Sequence, residues 1–331
     1  MLYFYKLFIQ YIAGKKRVAV DMKEKFKASS IRDFFQKYPA MIGVIVVALL
    51  IIIVYVVYQI RYNRQNEQQQ ERYEELNKTA WITDMSKVTE TEQTTPEELE
   101  KAYRAANEEK MEQFLASCTD RETFEKYLNS GPDFEAYRAV NSDVVGYILI
   151  PDTRIDYPVL RDVLQRDYYL KRNLDGSSGY PGSIFMENIN SPDFDDPVTI
   201  LYGHNMKNHT MFAQVHDFHN NAQFREAHKY IYTYEKDSVN LYEVVACTSY
   251  SDVHLLADNF VKDGSGEFVY TESHVDDPVR MWDSLKDYGD GKAYFAEEPL
   301  TEEDKCIVLS TCGSGRVRVV VVAKLLFTHW H

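Results

Sequence analysis

The run from Ala40 to Tyr58, nineteen residues without a charged side chain and rich in Val, Ile and Leu, narrows the possible folds more than any other feature of this chain. At 1.5 Å rise per residue a helix of that length spans roughly 30 Å, the hydrocarbon thickness of a bilayer. A buried helix of a soluble domain would carry a polar stripe within that length. A secretory signal would have an apolar region of about 7 to 15 residues and a small-residue cleavage site after it. Here Gln59-Ile60-Arg61-Tyr62-Asn63-Arg64 follows instead. One transmembrane helix over 40–58 is the expectation.

Charge orients that helix. Residues 1–39 hold nine Lys or Arg against Asp21, Glu24 and Asp33, a net of +6. Such a basic flank stays on the cytoplasmic side. The whole chain carries −14 and the span is uncharged, so residues 59–331 carry −20 and are expected outside the cell. An acidic outer domain with no basic stripe excludes nucleic-acid binding and favours neutral or cationic partners. Residues 1–12 are aromatic and apolar but too short to span, and both Met1 and Met22 are possible starts.

The four cysteines, Cys118, Cys247, Cys306 and Cys312, are widely spaced and form no Cys-x-x-Cys pair. Neither a structural zinc site nor a thioredoxin-like motif is indicated. Cys247 and Cys306 lie in apolar runs and read as small buried residues, while a nucleophilic Cys312 must stay free.

From Gln59 to Thr95 the composition turns polar, which predicts an extracellular stalk, helical at first and then loose. Thr95-Pro96-Glu97-Glu98 predicts a helix start, with a capping Thr, Pro in the first turn and acidic residues at the positive end. That helix runs to about Cys118, and a second runs from Asp120 to Leu128 before Ser130-Gly131-Pro132 stops it. The helices fill 96–139 at the edge of a domain covering 140–331.

Beyond Val144 the pattern changes to short apolar runs between turn residues: 144–150, 155–160, 182–186, 199–202, 229–235, 241–250, 306–311 and 316–327. Eight strand candidates at this spacing predict a closed β-barrel or a sandwich. One helix, from Asp277-Pro278 to Tyr288, is expected to interrupt them beside the last hairpin, where a substrate wall would be built.

Chemistry concentrates at that hairpin. Cys312 ends an apolar strand, and Gly313-Ser314-Gly315 permits a three-residue loop that would set Cys312 opposite Arg316, with Arg318 as diagonal neighbour. Both arginines are candidates, and hairpin geometry leans to Arg316. A thiol of pKa ~8.5 is only slightly ionised at neutral pH, so a nearby guanidinium favours the thiolate and can also bind an oxyanion. His204 lies two residues after Tyr202 at a strand exit, with Gly203 giving backbone freedom. An imidazole there can protonate a leaving amine and deprotonate an incoming one.

These residues resemble the sortases, class B in particular. The resemblance rests on Leu309-Ser-Thr-Cys312, on an arginine of the next strand ahead of Ala323-Lys324-Leu325, and on Tyr202-Gly-His-Asn-Met-Lys-Asn208 before Thr210-Met-Phe212. Upstream, Asp143 to Pro151, Ile155 to Val159, Asp167-Tyr-Tyr-Leu170 and Gly182 to Met186 are similar to the same class in the same order, so that it covers about 140–327. It implies an eight-stranded β-barrel with peripheral helices. It implies Cys312 as nucleophile, His204 as general acid/base and, counting back from Ala323-Lys324-Leu325, Arg318 as oxyanion or positioning group. Ser310 and Thr311 would line the cleft beside the thiol, with Arg316 also placed at the substrate. His209 stands where a glycine is common in the family, and the glycine-rich loop after Cys312 offers no third carboxylate.

The implied enzyme is a cysteine transpeptidase of a Gram-positive cell surface that needs no metal or cofactor. It would cleave a C-terminal sorting motif of exported proteins through a thioacyl-enzyme, then pass the acyl group to an amine of the cell-wall peptide or of a pilin-type protein. A motif of Asn-Pro-x-Thr or Ser-Pro-x-Thr type fits the class. Three other readings compete. A membrane-anchored peptidase would use the same Cys and His and end in hydrolysis. A metal-binding module would use His204, His209, His216 and His219, whose spacings match no recognised finger. A structural tether would use neither.

Overall fold

The computed structural model describes residues 39–83, 97–251, 255, 260–262, 268–270, 277–312 and 317–331. The basic segment before Pro39, the Thr95-Pro96 helix start, the loop Gly313-Ser314-Gly315 and Arg316 lie outside the described residues. The chain divides into two compact units, Met1–Asn63 and Arg64–His331. In the first, helix α1 (Pro39–Thr79) begins, and it continues into the second. No Gly or Pro interrupts it after Gly43. By length and composition α1 can cross a membrane, and its side chains from Leu49 to Tyr58 are exposed.

The second unit opens with the later half of α1. The expected stalk differs here, because Asn66 and Tyr73 are buried within this unit. The ring of Tyr73 meets Tyr157 edge-on at 5.1 Å, Arg72 pairs with Asp175, and the Tyr157 hydroxyl donates to Gln70 at 3.0 Å. The residues withdrawn from water, Asn66, Gln70, Tyr73, Asn77 and Ala80, recur at spacings of four and three, so one face of a helix whose composition is that of a spacer is seated. Strand β1 (Trp81–Ile82) then pairs with β2 (Gly131–Pro132). Between them run α2 (Glu97–Ser117) and α3 (Arg121–Leu128), the latter capped by Asp120, whose carboxylate accepts from Thr123 N. A short helix α4 (Phe134–Val140) follows, capped in the same way by Asp133.

The barrel strands are β3 (Val144–Leu149), β4 (Asp156–Leu160), β5 (Ile184–Met186), β6 (Val198–Tyr202), β7 (Tyr230–Tyr234), β8 (Ser238–Ser251), β12 (Cys306–Cys312) and β13 (Val317–Trp330). They are hydrogen-bonded in the order β8-β13-β12-β6-β5-β4-β3-β7, and β7 returns to β8 to close an eight-stranded barrel. Pairs β12/β6 and β4/β5 are parallel and the rest antiparallel. The sequence runs correspond to these strands one for one. Outside the closed set, β9 (Phe260–Lys262) pairs with β10 (Phe268–Tyr270), and the two-residue β11 (Tyr294–Phe295) adds to β8. Helices α5 (Val215–Asn220) and α6 (Ala222–Ala227), between β6 and β7, gave no sequence signal, since six residues are too few to show a helical period.

Helix α7 (Pro278–Tyr288) has the expected bounds, with Pro278 in its first turn and Asp277 accepting from Arg280 N at 2.9 Å. Its Met281, Trp282 and Leu285 pack on Val198, Ile200, Ala246, Tyr250, Cys306, Val308, Val320 and Val322. These are alternate residues of β6, β8, β12 and β13, so they share the barrel's outer face, and α7 converts that face into a second core. Burying a Trp and a Leu there contributes about 1.5–3 kcal/mol each. Cys247 and Cys306 are buried and free, as their apolar surroundings predicted.

Candidate active site

Strands β12 and β13 form the hairpin that carries the candidate nucleophile. Their register pairs Cys306 with Lys324, Ser310 with Val320, Thr311 with Val319 and Cys312 with Arg318. That register is not the one a three-residue loop over Gly313-Ser314-Gly315 would set. Arg318, not Arg316, is the cross-strand partner of Cys312. On its other side β13 pairs along its length with β8, where Arg318 faces Tyr250.

Alternation along β12 separates its last residues. Ser310 continues the outer-facing series of Cys306 and Val308. Ser310 is 1% exposed and lies opposite Tyr202 of β6. Thr311, expected to line the cleft, is also 1% exposed but belongs to the opposite face. Its hydroxyl donates to the Gly203 carbonyl at 2.8 Å. Gly203 N donates in turn to Ser310 O at 3.2 Å. The ends of β6 and β12 are thus tied by two hydrogen bonds beside Cys312 and His204.

Gly203 is required for space rather than for backbone freedom. A Cβ there would lie 2.5 Å from Ile184 Cδ1 and 2.7 Å from the Phe212 ring. His204 follows, with its backbone carbonyl accepting from Phe212 N at 3.0 Å. Its Nε2 lies 2.6 Å from the Leu170 carbonyl, and a carbonyl only accepts, so Nε2 carries the hydrogen and Nδ1 is the basic nitrogen. The Tyr180 ring covers the imidazole at 5.1 Å. Burial holds the imidazole below its ordinary value, the Leu170 carbonyl opposes that shift, and the Lys171 charge adds to it. His209, in the following loop, has φ +62°, which explains why glycine suits this position.

The Arg318 guanidinium lies 5.8 Å from the centre of the Tyr202 ring. The Tyr202 hydroxyl donates to Glu187 Oε2 at 3.0 Å, and Arg166 Nε meets the same oxygen at 3.3 Å. Glu187 is fully buried, and Asn188 N donates to its other oxygen at 3.0 Å. Burial raises the Glu187 carboxyl, against the Arg166 charge and the Tyr202 hydrogen bond. Burial and the Glu187 charge keep the Tyr202 phenol well above its ordinary value, so it remains a donor. No signal in the sequence marked Glu187 or Arg166 as parts of the site, and Tyr202 entered only as the first residue of the Tyr202–Asn208 motif.

The other histidines of that region are engaged separately. His216 Nε2 is 2.9 Å from Asn205 Nδ2, and His219 Nε2 is 3.0 Å from Asp290 Oδ1. Among the described residues no group of three or more His, Cys, Asp or Glu is arranged to hold a metal ion.

Comparison with known proteins matches the sortase domain family to residues 148–326, a little over half of the chain. Sortase B of Listeria monocytogenes is 32% identical over 191 residues, which cover 56% of this chain and 71% of that protein. Sortase B of Staphylococcus aureus is 28% identical over 199 residues, covering 59% and 75%. The crystal structure of Clostridium perfringens sortase B superposes with a TM-score of 0.47 at 28% identity, over 58% of this chain and 98% of that one. The matched stretch runs from β3 into β13 and takes in the strands that bear His204, Cys312 and Arg318. This chain therefore belongs to the sortase family of cysteine transpeptidases, with class B sortases as its relatives.

Proposed function

We propose that this enzyme is anchored in the membrane by α1, with the barrel outside the cell, and that it joins exported proteins to an amine acceptor at the cell wall. The Cys312 thiolate attacks the carbonyl carbon of a peptide bond within a C-terminal sorting motif. The oxyanion of the tetrahedral adduct is met by the Arg318 guanidinium. Protonated His204 gives its Nδ1 proton to the departing amine, the C–N bond breaks, and a thioester remains on Cys312. An acceptor amine then attacks that thioester, His204 takes the proton back, and the thiolate leaves as the new amide forms. The thioester conserves the acyl group's reactivity until the amine arrives, which is why covalent catalysis suits transfer.

The observation that carries this reading is the pairing of Cys312 with Arg318 across the hairpin, at a strand end hydrogen-bonded to the residue before His204. An uncharged nineteen-residue run within α1, preceded by a basic segment, supports the anchoring and its orientation. Tethering confines enzyme and membrane-held substrate to one thin layer and raises their effective concentration. Helix α7, packed on the outer face of β6, β8, β12 and β13, is the proposed wall of the peptide groove.

The test is to incubate the full chain in detergent with a peptide library, with and without added amines such as stem-peptide fragments, and to sequence the products. Joined peptides bearing one sorting motif, together with a Cys312 adduct in mass spectrometry, are expected. Cleaved peptide alone at saturating amine would convert the reading to a peptidase.

A further inference from the structure

Arg318 and Tyr202 are not on adjacent strands. Tyr202 ends β6, Arg318 is the second residue of β13, and β12 lies between them. Two strands apart at ~4.8 Å each and two residues apart along them at ~3.3 Å each, their backbones are about 12 Å apart, so the guanidinium reaches the Tyr202 ring only by extending across β12. On β12 the residue level with Tyr202 is Ser310, whose side chain is short, and Arg318 is level with Cys312, two residues further along. An extended Arg318 has other directions available. On its far side Tyr250 faces it across β8, with its own hydroxyl 3.2 Å from Ser284 of α7.

We propose that Tyr202 and the buried Glu187 are positioning residues that draw the Arg318 guanidinium across β12, toward the strand that leads to His204. This rests on the reading of Arg318 as the oxyanion partner. The ring's π-face attracts the cation. The phenol donates to an anionic carboxylate, and that bond shifts electron density from the O–H into the ring, which strengthens the negative face. Arg166, 3.3 Å from the same carboxylate oxygen, joins Tyr202 and Asn188 N in favouring the charged form of Glu187 against the burial that raises its carboxyl. A carboxylate with no access to solvent, held by a cation on one side and linked through a phenol to an active-site cation on the other, does more than fill space. Packing alone would be served by an apolar residue, and buried ion pairs are weak contributors to stability.

The experiment is a double-mutant cycle in the full chain, read as single-turnover acylation of Cys312 by the peptide that the library selects. Glu187→Gln is expected to lower the acylation rate about ten-fold, with KM changed less than about two-fold, because the group acts on the transition-state oxyanion rather than on substrate binding. Tyr202→Phe, which keeps the ring but removes the donor, is expected to give a smaller loss of the same kind. In the Arg318→Ala background Glu187→Gln is expected to change the rate by less than about two-fold, the mark of a residue that acts through another.

Equal losses in both backgrounds would overturn the proposal, as would a Glu187→Gln rate equal to wild type. Should Glu187→Gln fail to fold, Tyr202→Phe runs the same cycle, and an additive or absent effect there is equally decisive. If Arg318→Ala itself leaves acylation unchanged, the reading of Arg318 falls and this proposal falls with it. Loss in Arg318→Ala with silent Glu187 and Tyr202 variants sinks the proposal alone.

Discussion

The Thr311 hydroxyl donates to the Gly203 carbonyl at 2.8 Å, so the residue before Cys312 is bonded to the residue before His204. The two strand ends that bear the site come from positions 108 apart in sequence, and this buried bond fixes their relative height. Thr311→Val conserves shape and leaves the carbonyl acceptor without that partner. It should cost about 1–3 kcal/mol of stability. Acylation should fall more than KM changes. Denaturant unfolding and single-turnover kinetics measure both, and a variant with full activity would show that the tie is purely structural.

The hairpin register distinguishes the two arginines. Cys312 is paired with Arg318, and Arg318 lies against Tyr202. Arg318→Ala should slow acylation by about 10²–10³-fold, the magnitude associated with loss of one oxyanion donor. Arg316→Ala should have a smaller effect, and Cys312→Ala should abolish adduct formation without unfolding the barrel. A larger loss in Arg316→Ala would reverse the assignment.

Burial keeps the His204 imidazole below its ordinary value of 6.5. Between the lowered value and 6.5 the unfolded chain binds a proton that the folded chain does not. Stability therefore rises with pH through that window and falls as the pH drops across it. His204→Gln should flatten this part of the stability profile, and the wild-type imidazole should titrate below 6.5 by NMR. A titration above 6.5 would contradict the buried setting.

His209 holds a left-handed backbone conformation at φ +62°, and the following Met211 does so at +57°. His209→Gly removes a side-chain penalty of about 1–2 kcal/mol, offset in part by the greater chain entropy of glycine. A net gain of about 0.5–1 kcal/mol is expected in chemical denaturation, with acylation unchanged within about two-fold. A loss of stability would mean that the His209 side chain contributes contacts worth more than the strain.

The later half of α1 is part of the catalytic unit. A fragment beginning at Asn77 lacks Tyr73, which is 2% exposed, together with the Gln70 contact to Tyr157. Tyr157 in turn accepts from Met211 N at 3.0 Å, in the loop after His204. A fragment beginning at Arg64 should be more stable than one beginning at Asn77 by about 3–5 kcal/mol, the cost of deleting one large buried aromatic. Equal midpoints would show that the helix is dispensable.

The sequence by itself determined the eight barrel strands, because each is a short apolar run between turn residues, and it determined the bounds of α7 through Asp277 and Pro278. It also singled out Cys312, His204 and the two arginines, since nucleophile, base and cation are chemical identities that a motif can display. Only the tertiary structure decided which arginine faces Cys312, because a slip of two residues keeps every side chain on its face and the alternating pattern of the two strands allows either register. Only packing showed that Thr311 turns inward, that Gly203 is a matter of room, and that the glutamine-rich segment after the apolar run docks on the barrel. The Glu187–Tyr202 pair was likewise out of reach: the two residues are 15 apart, one just past β5 and the other at the end of β6, and a buried carboxylate has the same letter as an exposed one. Burial and proximity arise when the chain closes on itself, and they give those letters their chemistry.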